Sequence, residues 1–124
     1  MSQAIKFPPS PDKYDFSRHF KKDVIKDGSR YMTWQRCFDV IRNGEISDAD
    51  GNADKEWCKD YHGVKTYILV GWNSKERTPV VITGWPAVHD PRKAVRSGKW
   101  TEQQLRDIHQ FNDGVSLEDD FRYP

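Results

Sequence analysis

Four histidines, two cysteines and one strand end bearing a hydroxyl and a ring are the groups of this 124-residue chain suited to chemistry. Histidine exchanges protons near neutral pH, so His19, His62, His89 and His109 are the candidate acids and bases. The run Val80-Val81-Ile82-Thr83-Gly84-Trp85-Pro86 begins apolar and β-branched, then turns to hydroxyl, bare backbone and indole. A threonine hydroxyl can donate to an anion, and a tryptophan can carry a stacked base. Taken alone, the run reads as a buried strand in which Thr83 is a satisfied hydroxyl and Trp85 is packing. His19 alone reads as a first-turn residue that caps a neighbour or faces solvent. His109 reads as a solvent-facing helical residue. Metal chemistry has little support. Cys58 and His62 have the spacing of a helical ligand pair, but no second pair exists. Residues 48–54 have the Asp-x-Asp-Gly-Asn-x-Asp order of a calcium loop without its closing glutamate.

These groups must be positioned by a small set of elements. Residues 1–14 contain Phe7-Pro8-Pro9-Ser10-Pro11 and read as an extended, flexible arm. Ser17 is a good N-cap for a helix with Phe20 and Val24 on its apolar stripe, ended by Gly28. Thr33 caps a second helix, in which Trp34, Cys37, Phe38 and Ile41 fall at i, i+3, i+4 and i+7 and Asn43-Gly44 is the stop. Cys37 lies on that stripe and reads as core. Residues 47–55 read as an acidic, solvated loop, and residues 56–62 as a short strand. Val64 to Asn73 alternates as a strand, with Val64, Thr66, Ile68, Val70 and Trp72 on one face and Lys65, Tyr67 and Leu69 on the other. It pairs antiparallel with the strand opened by Pro79. Pro86 lacks an N–H, so pairing stops there or the strand lies at an edge. Arg92, Lys93, Arg96 and Lys99 follow in a basic loop. Thr101 with Gln104 makes a capping box for a last helix over Leu105 and Ile108. Residues 115–124 form an acidic tail. The fold class is therefore α+β: two N-terminal helices on a twisted antiparallel sheet, with an additional C-terminal helix, in one domain over 15–114.

Five Trp, five Tyr and six Phe offset a hydrophobic fraction of only 35%, so the composition is that of a folded domain. No apolar run spans a membrane, the start is no signal peptide, and two cysteines make no disulfide framework, which points to the cytoplasm. The net charge of +1 conceals blocks. Residues 13–44 hold eight basic against four acidic groups, and 61–100 hold seven against two; 45–60 and 101–124 each hold two against six. The two basic blocks are expected to share one face and to meet a polyanion there.

Four stretches carry a resemblance: Ser17-Arg18-His19-Phe20, Arg30-Tyr31-Met32-Thr33, Val40-Ile41-Arg42-Asn43-Gly44, and Val80-Val81-Ile82-Thr83-Gly84-Trp85-Pro86. Over residues 15–90 the chain resembles a family of small prokaryotic and phage-associated domains grouped with metal-independent ribonucleases of the barnase, EndoU, colicin and RelE type (the BECR fold). Tyr31 stands where that family usually has Gly, and Lys21, Lys22 and Lys26 stand where Arg is typical. The resemblance implies an α+β fold and RNA cleavage by internal transesterification, with neither cofactor nor metal. It implies that His19, Arg30 and Thr83 are catalytic: His19 moves the proton, Arg30 forks the phosphate, and Thr83 donates a hydrogen bond to it. Lys65, Tyr67 and Trp85 would bind substrate, the rings by stacking on a base. Such a domain is a toxin or phage-defence effector, with RNA as substrate and a protein inhibitor or antitoxin as a further partner. The alternative is a non-enzymatic protein- or nucleic-acid-binding module of the same fold, immunity- or inhibitor-like.

Overall fold

The computed structural model describes residues 6–28, 31–49 and 53–113, the last three by backbone alone. Its fold is α+β. Five strands, β1 (Asp15–Phe16), β2 (Glu45–Asp48), β3 (Lys55–Tyr61), β4 (Val64–Asn73) and β5 (Thr78–Val88), form one mixed sheet in the order β1-β5-β4-β3-β2. The helices are α1 (Phe20–Lys26), α2 (Trp34–Asn43), α3 (Pro91–Ser97) and α4 (Glu102–Asp113). Helix α1 is π-wound: Asp27 N–H donates to the Lys22 carbonyl, five residues back, at 3.1 Å.

The alternation of β4 decides where the core sits. Val64, Thr66, Ile68 and Val70 are fully buried, and Trp57 and Val81 flank them on the neighbouring strands. Phe20 and Val24 of α1 and Cys37, Val40 and Ile41 of α2 complete this core. Each Val, Ile or Phe among them contributes roughly 1.5–3 kcal/mol on burial. A second cluster, Val64, Ala94, Trp100, Leu105 and Ile108, fixes α3 and α4 at the far end. The alternate positions Lys65, Tyr67, Leu69, Thr83 and Trp85 are only half-buried.

The expected caps form. Thr33 Oγ1 accepts Arg36 N–H, and Thr101 and Gln104 exchange both bonds of the capping box. Four expectations are corrected. The sheet is mixed, because β1 runs parallel to β5 and precedes the first helix. The sheet also gains β2, whose Ser47 and Asp48 fall in the stretch read as an acidic loop. Of the two outcomes expected at Pro86 the second holds: the ladder with β4 runs on to Val88, and β1 pairs only with Val80 and Val81, so β5 lies at the sheet's edge at the residue without an N–H. The basic loop is helix α3: Asp90 caps it by accepting Lys93 N–H, and Pro91 fits its first turn. Residues 6–14 pack onto the domain, since Phe7 is buried with its ring 6.2 Å from that of Trp72, and Tyr14 OH accepts Trp57 Nε1–H. Arg30 and the tail 115–124 lie outside the described residues.

Candidate functional site

Two residues of strand are enough to place the first histidine. Asp15 and Phe16 lie beside Val80 and Val81, and Ser17 continues the line, its N–H on the Val81 carbonyl (2.9 Å) and its Oγ on the Ile82 carbonyl (2.7 Å). The same Oγ accepts Phe20 N–H at 3.0 Å and so starts the helical turn. One serine thus joins the helix start to β5. Between Leu69 and Val70 the β4–β5 register shifts by a bulge on the β5 side, and Thr83 falls opposite Leu69. His19, two residues after Ser17, then meets Thr83, one residue after Ile82.

The contact is a hydrogen bond of 3.1 Å between His19 Nε2 and Thr83 Oγ1. On the other side of the ring, His19 Nδ1 lies 3.0 Å from Asp23 Oδ2. An ionised carboxylate only accepts, so Asp23 holds the proton on Nδ1 and leaves Nε2 as the basic nitrogen toward the hydroxyl. The His19 side chain is 46% exposed and that of Asp23 66%, so the group is open to a ligand. Arg18, Lys21 and Lys22 are exposed on the same segment.

Along the sheet from Thr83 is an aromatic pair. Tyr67 and Trp85 are register partners, with ring centroids 5.7 Å apart and planes 26° from parallel. Trp85 is two residues from Thr83 and so shares its face. Gly84 between them points the other way, where a Cβ would lie 2.8 Å from Ile68 Cδ1 and 3.3 Å from Met32 Cε. The missing side chain lets the segment before α2 press against the strand. Burial and the neighbouring Cys58 and Glu56 push the Tyr67 hydroxyl upward, so it stays a neutral donor.

The structure brings together His19, Thr83 and, next to them, Trp85 and Tyr67. Lys65 is four residues from Leu69, the register partner of Thr83, or about 14 Å along the strand. It extends the face without joining the His19–Thr83 pair. Sequence reasoning missed Asp23; the His-x-x-x-Asp spacing on one helical face is the signal that finds it. Cys37, pushed up to about 12 by burial, is held as a thiol in the core. Compared with family models, with curated proteins and with solved structures, the chain matches none of them.

Proposed function

We propose that this domain cleaves RNA by internal transesterification, in keeping with the ribonuclease resemblance. The observation that carries the reading is the hydrogen bond in which His19 Nε2 accepts from the Thr83 hydroxyl, with Asp23 on the opposite nitrogen. A substrate 2′-hydroxyl that takes the place of the Thr83 contact meets a base already oriented to receive its proton. The 2′-oxygen then attacks phosphorus, the bond to the 5′-oxygen breaks, and the leaving oxygen takes a proton from water. Thr83 donates to a phosphate oxygen. Arg30 keeps the phosphate-forking role that the resemblance gives it. Tyr67 and Trp85 supply a stacking platform for a base beside the scissile phosphate.

Two features agree with this reading. The half-exposed rings stand next to the hydroxyl, where a single-stranded nucleotide can reach both. The backbone at Tyr31 has φ 53°, the left-handed region that the family's usual glycine takes at no cost. Incubating the pure protein with mixed RNA in excess chelator, beside a His19→Ala control, tests the proposal. Cleavage lost in the control supports it; RNA retained but uncut by the wild type would favour the binding module.

A further inference from the structure

A cleft of about 420 Å³ opens on the opposite side of the Met32 segment, between the end of α1, the start of α2 and the α3–α4 junction. Its size is that of a small-molecule site. Among the described residues Arg36, Lys99, Gln104 and Thr33 line it with polar groups, and no carboxylate does. Gln104 uses its oxygen on Thr101 N–H, which leaves the amide N–H groups as donors.

The charge of Arg36 meets aromatic rings in place of an ion-pair partner. Its guanidinium is held over the rings of Tyr61 (4.6 Å to the centroid) and Trp100 (5.0 Å). No carboxylate among the described residues makes an ion pair with it. Asp39, one turn on, is engaged elsewhere: Oδ2 accepts from Lys59 and Tyr61, and Oδ1 from Asn43. Burial lowers the affinity of Arg36 for its proton, against the opposing pull of Tyr61 and of the Asp39 charge. The two rings hold the guanidinium beside the cleft. The apolar part of the wall comes from Ile25, Met32 and the ring of Tyr31. Tyr31 is held there with φ 53° while its hydroxyl donates to Asp107 at 2.8 Å.

We infer that this cleft binds a small phosphomonoester with a flat apolar body, the phosphate on Arg36, Lys99 and the Gln104 amide and the body against Ile25, Met32 and Tyr31. The cleft shares no lining residue with the His19–Thr83 pair, and the inference does not rest on the ribonuclease reading.

The test is a titration of the full chain with adenosine monophosphate, followed by NMR at the Trp100 indole N–H and the Arg36 Nε–H. The indole is a local reporter, because Trp100 Nε1 donates to the Tyr61 carbonyl at 2.9 Å. Saturable shifts at both groups are expected, with adenosine alone and inorganic phosphate alone each at least about tenfold weaker. Gln104→Glu is the decisive variant. It keeps the capping bond to Thr101, since glutamate serves that box equally well, but puts a negative charge in the cleft. Affinity falls about tenfold or more while the melting curve is unchanged. Lys99→Gln weakens binding in the same direction, and His19→Gln leaves it intact. Adenosine monophosphate binding unchanged in Gln104→Glu, absent shifts at Trp100 and Arg36, or loss of binding in His19→Gln would each overturn the assignment. Inorganic phosphate binding as tightly as the nucleotide would overturn the role of the apolar wall.

Discussion

His19 Nε2 and Thr83 Oγ1 lie 3.1 Å apart although 64 residues separate them in the chain. The intervening chain forms α2 and strands β2 to β4 before β5 returns beside β1. The contact is therefore a property of the whole sheet. It depends on the parallel β1–β5 pairing, on the double use of Ser17 Oγ, and on the bulge opposite Leu69.

The platform role of Trp85 separates binding from folding. Trp85 is half-buried and stacked on Tyr67, whereas Trp57 is 4% exposed in the core. Trp85→Ala should weaken single-stranded RNA binding by about 1–3 kcal/mol with little change in melting temperature. Trp57→Ala should cost about 3–5 kcal/mol of stability. Thermal melts and RNA titrations on the two variants check both halves; a collapsed melt in Trp85→Ala would place that ring in the core.

Gly84 is required by space. A Cβ there would meet Ile68 Cδ1 at 2.8 Å and the Tyr67 carbonyl oxygen at 2.9 Å, and the carbonyl is backbone that cannot swing away. Gly84→Ala should destabilise the fold by roughly 1–3 kcal/mol. Because Thr83 and Trp85 flank the position, RNA binding should weaken with it. Denaturant midpoints and binding curves measured on the same preparation test the coupling.

Asp39 gives the fold an acid limit. Hydrogen bonds from Lys59 and Tyr61, then Asn43, hold its carboxyl down at about 2. A depressed folded value stabilises the protein above the unfolded pKa, and that contribution is lost as pH falls from about 4 toward 2. Asp39→Asn removes the titration, so its stability should change less than the wild type's across that window. Urea unfolding at a series of pH values measures the difference.

The parts of the fold legible in the sequence are those that local rules determine. The stripe of α2, the alternation of β4 and the caps at Thr33 and Thr101 need only period and hydrogen-bond chemistry. Strand β1 is two residues long, too short to show any period, and its parallel partner is 65 residues away. Strand β2 is exposed at every position, so no burial pattern marks it. Helix α3 was hidden by its charge, although Asp90-Pro91 is an N-cap followed by a first-turn proline. The site divides in the same way. His19 and Thr83 are identifiable as chemical types and through the family resemblance, but their meeting follows from the β1–β5 register. Asp23 is a local partner that the His-x-x-x-Asp spacing reveals once His19 is known to matter.

The most direct test of the account is the chemistry of the cut ends. A defined single-stranded RNA is incubated with the protein in chelator, and the termini are identified by mass spectrometry, beside His19→Gln and Thr83→Val. The account predicts 2′,3′-cyclic phosphate and 5′-hydroxyl ends. It predicts a loss of about 10²–10⁴-fold in rate for His19→Gln, the size of one proton-transfer group, with a smaller loss for Thr83→Val. Ends bearing 3′-hydroxyl and 5′-phosphate, or cleavage by His19→Gln at the wild-type rate, would contradict it.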